Sequence, residues 1–153
     1  MISLGQIAPD FTLPCEDGSN ITLSALRPSK VILYFYPKDD TSGCTLEAQD
    51  FTARAAEFAM AGARVIGISK DSVKAHEKFC KKHGLGVTLV SDEFGQTCED
   101  FGVWREKSMY GKTYMGIERT TFVIDGAGLI ARIWNKVSVK GHADEVLAMV
   151  QTL

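Results

Sequence analysis

The chain has 153 residues and a formal net charge of -2, with 45% hydrophobic and 24% charged residues. That is enough for one core-forming domain across 1–153, and so small a charge gives no electrostatic case for nucleic acid or an anionic membrane. The longest unbroken apolar run, Val31 to Tyr36, is too short to span a bilayer, and Met1 to Asp10 lack the basic start and apolar stretch of a leader, so the cytoplasm is the expected compartment.

In chain order, Ala8–Leu13 alternates like a short strand, Glu16–Asn20 is a turn, and Ile21–Leu23 pairs back to complete an N-terminal hairpin. Val31–Tyr36 is apolar on both faces, as a central strand should be, and Pro37 ends it. Ala48, Phe51, Ala55 and Phe58 keep the helical period, so one helix is expected over residues 45 to 61, stopped by Gly62. Arg64–Ser69 reads as a second buried strand. Asp71 and Ser72 cap a helix that runs to His83 and stops at Gly84. Val87–Val90 is a third strand. Phe94, Cys98 and Phe101 predict a short helix, whereas Gly102–Glu118 reads as irregular. Thr120–Asp125 and Leu129–Trp134 flank Gly126-Ala-Gly128 as a hairpin, and Lys140–Leu153 closes the chain as a helix. This order mixes crossovers with hairpins. A thioredoxin-like α/β fold satisfies it, with a mixed central sheet and helices on both faces.

The cysteines stand at 15, 44, 80 and 98, with no Cys-x-x-Cys and no Cys/His spacing of a zinc site. In a reducing compartment a static disulfide framework is not expected, which leaves a catalytic or transient redox role for one or two of them. Cys44 is the candidate. It lies where a buried strand passes through a polar turn into a helix, and unpaired N–H groups with the positive end of the helix dipole favour thiolate there. Ionisation alone gains little. A free thiol is about 3% ionised at pH 7, and lowering its pKa to about 6 raises thiolate some 30-fold, but falling nucleophilicity removes roughly tenfold of that. The site must also hold its substrate and meet developing charge. Thr41, Glu47 and Arg119 offer groups for this: Thr41 precedes the helix, Glu47 lies one turn along it, and Arg119 opens a strand.

Pro37-x-x-x-Thr41-x-x-Cys44, with Arg119 before Thr-Thr-Phe-Val-Ile-Asp, resembles a peroxiredoxin. Tyr36-Pro-Lys-Asp-Asp-Thr-Ser-Gly-Cys-Thr45, Met109-Tyr-Gly-Lys-Thr-Tyr-Met-Gly-Ile-Glu-Arg119 and Gly141-His142 resemble its bacterioferritin-comigratory, PrxQ-like branch, over essentially the whole chain. The resemblance implies a cofactor-free, metal-free peroxidase acting on hydrogen peroxide and organic hydroperoxides. Cys44 would attack the terminal peroxide oxygen and become sulfenic acid. Thr41, Arg119 and the Cys44 N–H would hold the peroxide, Pro37 would shield the site, and Glu47 would steady Arg119. Tyr36, Tyr110, Tyr114 and Met115 would line the pocket. Many members of the branch carry a second cysteine five residues after the first, where this chain has Gln49. A subset of the branch places its resolving cysteine where Cys80 stands. The implied cycle is therefore a Cys44–Cys80 intramolecular disulfide, recycled by thioredoxin or glutaredoxin in a monomer, with local unwinding around both cysteines. Ser42, where proline is common, would alter loop stiffness only.

Other readings stand beside this one. A one-cysteine enzyme would be resolved by an external thiol, and a redox sensor would signal without turnover. A disulfide oxidoreductase is disfavoured by the missing Cys-x-x-Cys. Cys98 reads as packing, and Cys15 has no expected role. His76, His83 and His142 read as surface histidines, Asp39-Asp40 as a solvated turn, and Lys78, Lys81 and Lys82 as a solvated helix face.

Overall fold

The computed structural model describes residues 2–153, and Met1 lies outside them. Its centre is a five-stranded sheet whose strands lie in the order Thr88–Ser91, Ala63–Ser69, Lys30–Phe35, Thr120–Ile124 and Ile130–Trp134. Strand β3 (Lys30–Phe35) runs parallel to β4 (Ala63–Ser69), and β4 parallel to β5 (Thr88–Ser91). On its other side β3 pairs antiparallel with β8 (Thr120–Ile124), which pairs with β9 (Ile130–Trp134). A separate hairpin joins β1 (Thr12–Pro14) to β2 (Asn20–Thr22).

Alternation along β3 divides the core in two. Val31, Leu33 and Phe35 join Phe101 and Phe122 on one face, while Ile32, Tyr34 and Tyr36 join Cys44, Phe51 and Phe79 on the other. Each fully buried side chain of this size contributes about 1.5–3 kcal/mol of transfer free energy. The second face is covered by α1 (Ser42–Ala53), α2 (Ala55–Met60), α3 (Val73–His83) and α5 (His142–Val150). A 3-10 turn at Leu23–Leu26, the short α4 (Thr97–Asp100) and the N-terminal hairpin supply the first. A register shift at Val123/Ile124 lets Ile130 and Ile133 of β9 face the same core, which strict alternation would forbid. Among the described residues no helix is long and apolar enough to cross a membrane.

Several expectations need correction. The single helix over 45 to 61 is two, broken at Arg54 (φ -109°, ψ 10°). Its Nη1 donates to the Asp50 carbonyl at 2.8 Å, and its backbone N–H turns instead to Phe51 O at 3.1 Å. Phe94 is 95% exposed and lies outside α4. That helix starts later because the buried Asp92 carboxylate accepts the N–H groups of Thr97 and Cys98 at 3.1 and 2.8 Å. The segment read as irregular is a hairpin of β6 (Trp104–Met109) and β7 (Lys112–Ile117), turned at Tyr110-Gly111 with φ of 52° and 76°. His76 and His142 are buried, and only His83 keeps partial solvent contact. Asp39 is buried as well. Lys78, Lys81 and Lys82 are exposed as expected.

Candidate active site

Where the sheet hands over to helix α1, the chain passes from Phe35 through Tyr36, whose N–H still bonds Ile68 O at 3.1 Å, into the turn of Pro37–Thr41. Thr41 is the extended N-cap of α1 (φ -85°, ψ 155°). Cys44 is therefore the third helical residue, within the turn whose N–H groups have no intrahelical acceptor. The next N–H, of Thr45, already bonds Thr41 O at 2.9 Å.

The Cys44 side chain is wholly buried, and its Sγ accepts a hydrogen bond from Arg119 Nη2 at 3.3 Å. The second arm of the guanidinium, Nη1, donates to Glu47 Oε1 at 2.6 Å. Arg119 lies between β7 and β8, and its carbonyl is held by Val137 N–H at 2.9 Å. Gly43 lies beside the guanidinium, where a Cβ would stand in ordinary contact 3.4 Å from Nη2. One planar fork thus faces a thiol and a carboxylate together, a geometry that lysine cannot reproduce.

Burial pushes the Glu47 carboxyl up to about 7, against the Arg119 charge that pulls it down, and Oε2 has no partner. The folded protein therefore holds this proton where an unfolded glutamate has lost it. Stability contributed by that proton falls as pH rises from about 4.5 to about 7. The expected size is on the order of 3 kcal/mol. Denaturant titrations across that window should show wild type losing stability relative to Glu47→Gln. Parallel profiles would contradict the buried proton.

The other predicted residues are less uniform. The Thr41 hydroxyl donates to Lys38 O at 3.0 Å and makes no bond to Cys44. Pro37 is exposed. Tyr36 is buried, its ring stacked on Tyr34 at 5.5 Å and its hydroxyl donating to Asp39 at 2.6 Å, so it belongs to the framework. Tyr110, Tyr114 and Met115 stand out on the β6–β7 hairpin, with Tyr110 97% exposed at its tip. None of the three is enclosed as a pocket wall, because both faces of that hairpin are largely open to solvent.

All four cysteines are free thiols. Cys80 is half-buried in α3, packed against the same core as Cys44. Burial, then the carboxylates of Glu16 and Asp39, pushes its thiol up to about 12. Burial also raises Cys15 and, with Asp92, Cys98. Cys15 and Cys98 lie in the opposite core from Cys44.

Sequence reasoning missed two neighbours of the site. Tyr34 is fully buried with an unpartnered hydroxyl, for which Gly67 makes room: a Cβ at Gly67 would fall 2.7 Å from that oxygen. Lys107 on β6 is held below its ordinary range by burial and then by Arg119, so a second cation borders the cluster. The glycine inside the apolar strand Ala63–Ser69, a mark of close approach by a neighbour, was the one available signal for Tyr34.

The AhpC/TSA family model matches residues 4–133. Peroxiredoxin Bcp of Xanthomonas campestris is 47% identical over 142 residues, covering 93% of this chain and 89% of its own. A structure of the X. campestris bacterioferritin comigratory protein, studied for alkyl peroxide reduction through trapped intermediate and ligand complexes, superposes with a TM-score of 0.91 at 43% identity, covering 99% and 97% of the two chains. X. campestris peroxiredoxin Q has also been solved, at TM-score 0.91 and 44% identity, as two single cysteine-to-serine mutants; they cover 99% of this chain and 96% and 97% of their own. Their mutated positions are as far apart in sequence as Cys44 and Cys80 are here. A buried thiol in the first turn of a helix, faced by an arginine fork, thus meets a family match across most of the sequence, and the chain belongs to the AhpC/TSA family, in its Bcp/PrxQ peroxiredoxin branch, as a thiol-dependent peroxidase.

Proposed function

We propose that Cys44 is the peroxidatic residue and that the hydrogen bond from Arg119 Nη2 to its Sγ at 3.3 Å is the observation that carries this reading. The Cys44 thiolate attacks the terminal oxygen of a hydroperoxide. The S–O bond forms as the O–O bond breaks, the departing oxygen takes a proton, and water or an alcohol leaves. Arg119, the free N–H groups of the first helical turn and the Thr41 hydroxyl meet the charge that develops on the peroxide oxygens. For this Thr41 turns from Lys38 O. Glu47 holds the guanidinium in plane, and Pro37 covers the entrance.

Cys80 is then the resolving cysteine. Its sulfur attacks the sulfenic sulfur of Cys44, the S–S bond forms, and the oxygen leaves as water. Support comes from the cysteine pair of matching spacing in X. campestris peroxiredoxin Q. Further support comes from Gln49, which cannot take the alternative role. In the closed conformation Cys80 is protonated and half-buried, so α3 must loosen before it attacks. A dithiol of the thioredoxin or glutaredoxin class reduces the disulfide in the cytoplasm. Because the bond is intramolecular, one 153-residue domain suffices and the working unit is a monomer.

Cys80→Ser tests the scheme. One equivalent of peroxide should still oxidise Cys44 at the wild-type rate, while thioredoxin-driven turnover falls at least 100-fold and sulfinic acid accumulates on Cys44, on the order of a lost covalent step. Steady cycling at the wild-type rate would remove Cys80 from the mechanism and favour resolution by an external thiol.

A further inference from the structure

Two adjacent carboxylates of the turn between Tyr36 and Cys44 grip helix α3 on both sides of Cys80. Asp39 makes the buried grip. Its Oδ1 accepts from the Tyr36 hydroxyl at 2.6 Å, and its Oδ2 lies 2.6 Å from His76 Nδ1. The opposite ring nitrogen, Nε2, is 3.0 Å from Val90 O. A carbonyl only accepts, so Nε2 carries a hydrogen, and a second proton sits on the Nδ1···Oδ2 line. The Asp39 N–H is used as well, donating to Asp71 Oδ2 at 2.8 Å. His76 is fully buried and lies one helical turn before Cys80.

Asp40 makes the exposed grip. Held at φ 61°, it sets Oδ2 at 2.7 Å from Lys82 Nζ and Oδ1 at 2.8 Å from His83 Nε2. These two residues close α3 just beyond Cys80, before the Gly84 cap. The turn that delivers Cys44 is therefore fastened to the helix that carries Cys80 at two points, one dry and one wet. The peroxide chemistry of Cys44 calls on neither.

We propose that Asp39 and Asp40 are positioning residues for the resolving step: they clamp α3 to the peroxidatic turn, and release of this clamp sets the rate at which Cys80 reaches the sulfenic acid of Cys44. This rests on Cys80 being the resolving cysteine. The two grips differ in kind. The Asp40 pair is solvent-exposed and screened by salt, so it yields readily. The Asp39–His76 bond is short and buried, out of reach of salt, and it anchors the first half of α3 while the second half frays. The clamp delays disulfide formation, so Cys44 sulfenic acid persists and meets a second peroxide more often.

The test oxidises purified full-length protein with one equivalent of hydrogen peroxide and follows thiols by rapid quench and mass mapping. Asp40→Asn should speed formation of the Cys44–Cys80 linked peptide about two- to fivefold, the range of an exposed ion pair, and leave Cys44 oxidation unchanged. Added salt should accelerate linkage in wild type but not in Asp40→Asn. Asp39→Asn, of the same size, should speed linkage about tenfold or more. Both variants should need more peroxide than wild type to accumulate sulfinic acid. Unchanged or slower linkage in folded Asp40→Asn, or a salt response equal to wild type, overturns the clamp even if Asp39→Asn does not fold. Wild type without any Cys44–Cys80 peptide overturns the resolving role itself, and the clamp with it.

Discussion

Cys44→Ser should abolish peroxide turnover. The substitution exchanges one atom at a fully buried position, so the fold and thermal midpoint should change little. The chemistry changes completely, because a hydroxyl stays protonated at neutral pH and offers no nucleophile comparable to thiolate. Peroxide consumption with a thioredoxin system should fall to the rate without enzyme, while Cys80 remains a protonated thiol unable to substitute for it. Turnover above that background in Cys44→Ser would move the reaction to another residue.

Arg119→Ala should lower the second-order rate constant for peroxide about 10²- to 10³-fold, the usual loss when a donor to developing charge is removed. This value decides between two roles. If Arg119 only raised the thiolate fraction, the gain in ionisation and the loss in nucleophilicity would nearly cancel, and removal would cost only a few-fold. A loss of 10² or more means that the guanidinium acts on the breaking O–O bond. Arg119→Lys should fall between, because an ammonium keeps the charge but cannot face Cys44 Sγ and Glu47 Oε1 as a planar fork. Stopped-flow oxidation of each variant gives the comparison, and a loss under tenfold in Arg119→Ala would reduce the residue to a structural ion pair.

The central strands were readable because their side chains follow a period: Val31–Phe35 is buried at every position, as its apolar run implies. The β6–β7 hairpin was not, since most of its residues face solvent on both sides and no apolar alternation marks it. The break at Arg54 was hidden for another reason. It depends on where one side chain bonds, and the apolar period runs straight through it. At the site, Cys44, Glu47 and Arg119 were visible as a motif, and the structure brings them together although Arg119 is 75 residues from Cys44. His76 was misread because a polar residue on a lysine-rich helix looks solvated, and its partner Asp39 lies 37 residues away on the turn before Cys44. Buried polar pairs leave no periodic trace in sequence, since each half resembles an ordinary surface residue.

The crack at Arg54 bears on how far disturbance travels. A continuous helix from Ser42 to Met60 would melt or hold as one cooperative piece. The interruption ends the backbone ladder of α1 before α2 begins, so α1 need not melt together with α2. Beyond it, the Arg54 guanidinium grips Asp144 of α5, fastening the start of α2 to the end of the chain. In the proposed cycle the turn around Cys44 would lose its order and regain it while α2, α5 and the sheet beneath them keep theirs.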